Sequence, residues 1–335
     1  MQKTNREQLL NILNILRPAV ATKDIVEHAD SFIFKDGLVW GYNDEIAISH
    51  PLPEGLNLTG AVIAEPLIKL LDKMKDTEIS LTTDEKELRI KTKNSEAGIP
   101  LKVSDDFLVE AIPMPEQDDW KTVPAGMIKA LSLAARSAST DMSKPILTHV
   151  HTKDGLIIGC NNFGLTVCQV EGLGKEPWPL LPAAVVPHLV RFDPDMIAIT
   201  KGWIHFVNKN DCILSCRSGT GDYPDIRGLL KVVGKEITFP KELADVLGRA
   251  GIFSETEFAS DQRVTLTAGK GALKVEGRGP VGWFEETVAF ESKETFSFTA
   301  HPEYIITAMD FGRKMVLGEK ALMLKGKNFT HIISI

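Results

Sequence analysis

Lys35-Asp36-Gly37-Leu38-Val39-Trp40-Gly41-Tyr42-Asn43 returns 118 residues later as Lys153-Asp154-Gly155-Leu156-Ile157-Ile158-Gly159-Cys160-Asn161. A weaker third copy, Gly271-Ala272-Leu273-Lys274-Val275, places Leu273 117 residues after Leu156. A second series lies between the first. Glu87-Leu88-Arg89-Ile90-Lys91 resembles Trp203-Ile204-His205-Phe206-Val207 and Ala321-Leu322-Met323-Leu324-Lys325, with spacings of 116 and 118 on Leu88, Ile204 and Leu322. One tetrapeptide identity can be chance, but two interleaved series at nearly equal spacing define a period. That period is too long for a plain solenoid. It predicts three tandem domains, 1–116, 117–232 and 233–335, each of two half-units. The boundaries fall in the Pro-rich Ile112-Pro113-Met114-Pro115-Glu116 and near Val233-Gly234.

Each half-unit reads as a short amphipathic helix followed by alternating strands. Leu9, Leu10, Leu13 and Leu16 recur at helical spacing in the first helix, opposite Glu7, Asn11, Asn14 and Arg17. The second helix, 65–75, buries Leu67, Leu70, Leu71 and Met74. The third starts at Pro124, a good first-turn residue, and buries Met127, Ile128, Leu131 and Ala135. The fourth, 182–191, is weakened by Pro187. The fifth, from Pro240, buries Leu243, Val246, Leu247 and Ala250, and the sixth, from Pro302, buries Tyr304, Ile305 and Ala308. Glu78-Ile79-Ser80-Leu81-Thr82 and Arg263-Val264-Thr265-Leu266-Thr267 alternate as half-buried antiparallel strands do. The fold class is α+β.

The chain has 335 residues, 43% apolar and 25% charged, an ordinary globular balance with ample material for a core. No apolar run is long enough to cross a bilayer, and the polar Met1–Arg6 leads into a helix rather than a secretory leader. Four cysteines make no disulfide framework, so a reducing, cytoplasmic setting is expected. The net charge of −7 argues against a nucleic-acid partner unless the bases are gathered on one surface. The six predicted helical spans do gather them. Arg6, Arg17, Lys69, Lys73, Lys75, Lys129, Arg136, Arg191, Lys241 and Arg249 outnumber Glu7, Glu65, Asp72, Glu242, Asp245 and Glu303, leaving the acidic surplus to the rest of the chain. That segregation suits a sequence-blind phosphate contact, although lysines and arginines on a solvated helix face would look the same.

Motifs for chemistry are missing. Cys212 and Cys216 lie four apart in a predicted strand, about 13 Å, too far for two ligands of one tetrahedral metal. Cys160 and Cys168 read as buried structural thiols. His149 and His151 share a strand face without a third ligand. There is no phosphate-binding glycine loop and no Gly-x-Ser-x-Gly elbow. No catalytic residue, metal or cofactor is expected. A β-rich structural or binding protein with architectural repeats, or an unrecognised hydrolase or metal enzyme, stays open as an alternative.

The repeat pattern resembles the bacterial and phage DNA sliding clamps, the β subunit of DNA polymerase III. The likeness spans the whole chain and rests on three tandem domains of paired helix-plus-sheet halves. Three motifs sharpen it. Asp222-Tyr223-Pro224-Asp225 sits at the second domain junction, where clamps carry a similar turn. Arg249-Ala250-Gly251-Ile252-Phe253-Ser254 closes the fifth helix, and Pro145-Ile146-Leu147-Thr148 opens a strand after the third, as in clamps.

The resemblance implies a non-enzymatic, ring-forming processivity factor that encircles double-stranded DNA without sequence preference. It implies partners in DNA polymerase and clamp-loader subunits, reached through a short peptide, and a homodimer. The DNA-facing residues would be Arg17, Lys23, Lys69, Lys73, Lys129, Arg136, Lys144, Arg191, Lys241 and Arg249. The peptide pocket would be built from Leu147, Cys160, Asn162, Leu165, Pro224, Leu229, Ile332 and Ser334. The dimer interface would set Ile252 and Phe253 against Ile99 and Leu101 of another copy. The sequence departs from the family at Cys160-Asn161-Asn162-Phe163-Gly164-Leu165, where clamps carry Thr-Asp-Gly-His-Arg-Leu, which predicts a reshaped pocket.

Overall fold

A computed structural model describes residues 2–21, 27–84, 86–104, 107–257, 261–292 and 294–335. One arrangement, strand-helix-three strands, recurs six times along them. The first third holds β1 (Gln2–Asn5), α1 (Arg6–Leu16), β2 (Ser31–Lys35), β3 (Leu38–Tyr42) and β4 (Ile46–Pro51). Then come β5 (Gly60–Ile63), α2 (Ala64–Lys73), β6 (Glu78–Thr83), β7 (Glu87–Lys91) and β8 (Glu96–Lys102). The second holds β9 (Lys121–Thr122), α3 (Met127–Ala135), β10 (His149–Lys153), β11 (Leu156–Cys160) and β12 (Gly164–Gln169). It continues with β13 (Leu181–Pro182), α4 (Val186–Phe192), β14 (Met196–Thr200), β15 (Trp203–Val207) and β16 (Ile213–Arg217). The last holds β17 (Gly234–Thr238), α5 (Leu243–Phe253), β18 (Val264–Gly269), β19 (Ala272–Gly279) and β20 (Gly282–Ala289). It ends with β21 (Phe296–Ala300), α6 (Pro302–Met309), β22 (Lys314–Gly318), β23 (Ala321–Lys325) and β24 (Phe329–Ser334).

By internal contacts the chain forms two compact units, 1–128 with 179–220 and 129–178 with 221–335. In the first, one antiparallel sheet runs β1-β6-β7-β8-β5-β2-β3-β4-β16-β15-β14-β9. In the second, β10-β11-β12-β24-β23-β22-β17 form one sheet and β20-β19-β18-β21 another. Each unit therefore contains one joint where the third strand of a first half pairs with the third strand of a later second half. At one, Ile46 faces Cys216 and Ile48 faces Leu214; at the other, Gly164 faces Ile333 and Thr166 faces His331.

The helices lie with one apolar stripe on the sheets. Leu9, Ile12, Leu13 and Leu16 of α1 are buried, and α1 packs beside α2. Leu10, expected inside, is only half-buried, and Ile12 takes its place. Asn5 caps α1 by accepting from the amides of Glu7 (2.9 Å) and Gln8 (3.1 Å). Leu243, Val246, Leu247 and Ala250 of α5 join Ile305 and Ala308 of α6 in one core, where each fully buried leucine, isoleucine or valine contributes about 1.5–3 kcal/mol.

The repeated glycine has a packing reason. A Cβ on Gly159 would collide with the carbonyl oxygen of Ala134 at the end of α3, and one on Gly277 with that of Ala250 in α5. At Gly41 the Leu16 carbonyl of α1 would stand 3.0 Å away. The three glycines thus each mark a point where a helix end rests on its sheet, although Gly277 lies two residues further from its turn than Gly41 and Gly159 do, because the third hairpin is longer. The third copy sits one step from its expected register. Asp36-Gly37, Asp154-Gly155 and Lys270-Gly271 form the same turn with two positive φ angles, so Leu273 occupies the place of Val39 and Ile157, not of Leu38 and Leu156.

Candidate functional site

The helix bases fall into distinct environments. Arg17, Lys73, Lys129, Arg191 and Lys241 are exposed and carry no ion pair among the described residues. Lys69 pairs with Glu65 one turn earlier on α2 at 2.7 Å, and that ammonium holds the exposed Glu65 carboxyl below its usual range. Arg136 meets Asp310 at 3.2 Å and lies over the Phe311 ring. Arg249 is clasped by Glu286 of β20. Lys144 donates to Asn162 Oδ1 at 2.9 Å, beside the predicted peptide pocket. Lys23 lies outside the described residues. Arg6, counted among the helix bases, is turned inward: it donates to the carbonyls of Leu71 (2.9 Å) and Asp76 (3.1 Å), capping the end of α2. Lys75 lies beyond α2, which stops at Lys73.

The joint of β12 with β24 opens into a hollow of about 540 Å³. Of the eight predicted pocket residues, Asn162, Leu165, Leu229, Ile332 and Ser334 line it. Cys160 is buried in the apolar cluster that also includes Leu165, Ile226 and Ile332, and Leu147 packs against that cluster. Pro224 is exposed, in a turn whose neighbour Tyr223 carries the contact: its ring stacks on His151 at 4.9 Å and its hydroxyl accepts from the Cys160 amide at 2.9 Å. Burial pushes the Tyr223 hydroxyl and the Cys160 thiol up. Arg227 clasps Asp225 in the same turn, holding its carboxyl down to about 2. Lys231, Val232, Val233, Lys320 and Ala321 also stand on the walls and were not among the expected pocket residues, while Phe163 belongs to the stretch expected to reshape it. The second repeat series already contained Ala321, and its alignment with Trp203 was the available signal.

The Asn161 turn that closes one end of the hollow is built by its side chain, which accepts from the amides of Phe163 (2.8 Å) and Gly164 (2.7 Å). Asn43 builds the same turn in the first third, accepting from Glu45 (3.2 Å) and Ile46 (3.0 Å).

At the end of α5, Ile252 is 58% exposed and Phe253 stacks on Phe284 of β20 at 5.9 Å. Val281 and Trp283 beside them are exposed, Trp283 at 65%. The predicted interface partners differ: Ile99 and Leu101 are 6% and 7% exposed and point into their own core, Leu101 against Gly60. Any contact made there by β8 runs through its backbone and its other face.

Two buried histidines form hydroxyl–imidazole pairs. His205 lies between Thr200 Oγ1 (2.7 Å) and Ser215 Oγ (2.8 Å), and His331 Nδ1 lies 2.7 Å from Thr166 Oγ1, itself 2.6 Å from Ser137 Oγ. Burial pushes Cys168, Cys212 and Cys216 up to about 12, far from a reactive thiolate. Among the described residues no group of three His, Cys, Asp or Glu is placed to hold a metal. No described helix is long and apolar enough to cross a membrane.

No family profile matches the chain, and no curated protein matches it. Solved structures do. The DNA polymerase sliding clamp of Bacillus subtilis superposes with a TM-score of 0.83 at 16% identity, covering 99% of this chain and 97% of that one. The DNA polymerase III β chain of Streptococcus pneumoniae gives 0.84 at 18%, covering 99% and 98%. The Pseudomonas aeruginosa sliding clamp bound to griselimycin gives 0.82 at 14%, again covering 99% and 98%. With helices laid on antiparallel sheets in a six-fold internal repeat, and near-complete superposition in both directions, the chain has the fold of the DNA polymerase III β sliding clamps.

Proposed function

We propose that this chain is a DNA polymerase processivity factor: a homodimeric ring that encircles duplex DNA and tethers the polymerase and clamp-loader subunits through short peptides. Its work is mechanical, and no bond is made or broken. Three clamp domains, 1–116, 117–232 and 233–335, each supply two halves. Arg17, Lys73, Lys129, Arg191 and Lys241, with Lys69, Arg136 and Lys144 nearby, give weak phosphate contacts that let the ring slide. The hollow beside Leu165, Leu229 and Ile332 receives the peptide. A cytoplasmic location follows from that role.

The observation that carries the reading is an unfinished symmetry. The chain makes the same joint twice, β4 to β16 and β12 to β24. One third strand of each kind is left over. β20 pairs only with β19, and β8 pairs with β7 on one side, while its other side meets β5 only at Leu101 and Lys102. A second copy offers each leftover its complement. The marker glycines set the register. Gly41 and Gly159 face Ile48 and Thr166, which in turn face Leu214 and His331; Gly277 faces Phe284, and the repeat position matching Leu214 and His331 is Ala97. Phe284 should therefore face Ala97 of a second copy, with the bulky Trp283 opposite Gly98. Two such head-to-tail joints close a ring of six domains and cover two exposed strand edges.

Retention on DNA tests this. Loaded onto nicked circular duplex, the protein should stay through gel filtration at moderate salt and be lost once the circle is cut. Equal retention on circle and linear duplex would mean ordinary surface binding and end the proposal.

A further inference from the structure

The two in-chain joints share one backbone plan, yet only the second is assigned a peptide. Repeat-equivalent residues can be read from the strand registers. Trp203 faces Arg217 across β15 and β16, as Ala321 faces Ser334 across β23 and β24. Tyr42 faces Ala47 as Cys160 faces Leu165. The Asn43 and Asn161 turns are the same, and each supplies a carbonyl to the next strand: Glu45 accepts from the Arg217 amide at 3.0 Å and Phe163 from the Ser334 amide at 2.8 Å.

The side chains on this shared frame differ in size. At the first joint Trp203 is 5% exposed and packs with Trp40, Tyr42, Phe107 and Ile112. Arg217 lies over the Trp203 indole, 5.0 Å from its centroid, and is tied to Asp44 (3.1 Å) and the Tyr42 hydroxyl (3.3 Å). The space is filled and lidded by the chain itself. At the second joint the same three positions carry Ala321, Ser334 and Cys160. Ala321 and Ser334 line the hollow instead of filling it. An indole buries on the order of 150–250 Å², so exchanging it for a methyl group accounts for most of the difference.

We propose that Ala321 determines where this chain accepts a peptide: its methyl keeps the β12–β24 joint open, where the equivalent Trp203 closes the β4–β16 joint. This rests on the peptide-docking reading given above. The occupant is an extended peptide with an apolar anchor, since Leu165, Leu229, Val232 and Ile332 supply apolar walls and Lys231 and Lys320 stand on the rim with Glu319.

The probe is the tightest dodecapeptide selected from a random phage-displayed library on the wild-type protein, followed by fluorescence anisotropy. Ala321→Trp should weaken it by roughly 10- to 100-fold, and Ala321→Val by less, with melting temperature and sedimentation unchanged. Leu229→Asp, on an exposed loop, is the control for the site itself. Binding lost in Leu229→Asp but kept within about threefold in Ala321→Trp overturns the size rule while sparing the docking site. A probe indifferent to Leu229→Asp, or no selected peptide at all, overturns the docking reading and this inference with it.

Discussion

The Arg249 guanidinium of α5 is clasped by the Glu286 carboxylate of β20, with Nη2 2.8 Å from both oxygens and Nε 3.0 Å from Oε2. An exposed pair of this kind is worth up to about 1 kcal/mol, enough to compete with a single phosphate contact. Arg249→Ala should therefore change duplex affinity by less than about twofold. Glu286→Gln should free the guanidinium and raise affinity several-fold at low ionic strength, an effect that salt removes. Anisotropy titrations of a fluorescent duplex at two salt concentrations measure this. A large loss in Arg249→Ala with no gain in Glu286→Gln would show that the arginine already serves the DNA.

The repeated glycine should be intolerant in a graded way. In Gly159→Ala and Gly277→Ala the new methyl meets a helix carbonyl that can retreat only by lifting the helix end, costing about 1–3 kcal/mol or more. Gly41→Ala needs the Leu16 carbonyl to give by a few tenths of an ångström, so its loss should be the smallest of the three. Urea midpoints rank them. Equal tolerance at all three positions would refute the helix-on-sheet explanation.

Trp283→Lys should produce a monomer without unfolding it, because the indole is largely in solvent within one chain. Ile252→Ala with Phe253→Ala should also yield a monomer, but with lower stability, since Phe253 stacks on Phe284. Sedimentation velocity over a concentration series distinguishes the two effects. A Trp283→Lys protein that stays dimeric would place the joint elsewhere.

Acid should weaken the fold through two imidazoles. Burial holds His205 and His331 down to about 4. In the unfolded chain each titrates near its ordinary value of about 6.5. Between those values the unfolded state binds protons that the folded state refuses, so their contribution is complete above about 6.5 and declines toward 4. Each accounts for roughly 3 kcal/mol across that window. His205→Asn should be less stable at neutral pH yet show a shallower loss on acidification than wild type. Parallel slopes in denaturant melts would mean that His205 does not carry the dependence.

Periodicity made the helices legible, because an apolar stripe must find a sheet whatever the rest of the chain does. Their starts were less so: α3 begins at Met127 and α5 at Leu243, three residues past Pro124 and Pro240, which sit in the preceding turn. The lead strands went unread. β9 is two residues long, too short to show alternation. β4 and β12 are buried on both faces within the joints, so the pattern that marks a half-exposed strand is absent. Arg6 looked like a surface base because nothing local tells that the end of α2 lies beside it. Ile99 and Leu101 looked available because inward-facing residues on an edge strand have the same composition as outward ones. Of the residues expected at the pocket, Leu165 and Ile332 do line the hollow beside the β12–β24 joint. Ala321 was legible only through the repeat: a small residue announces itself only beside the large one that it replaces, here Trp203.

The pairing of β12 with β24 also has a consequence in time. Gly164–Gln169 emerges from the ribosome well before Phe329–Ser334, which begins 165 residues further along the chain. Until then the central strand has no permanent neighbour on that side, and pairing across so long a loop is slow even once both are present. Nascent chains would meanwhile display an adhesive margin, so crowded translation should favour tangled pairs of polypeptides unless a chaperone shields that segment until release.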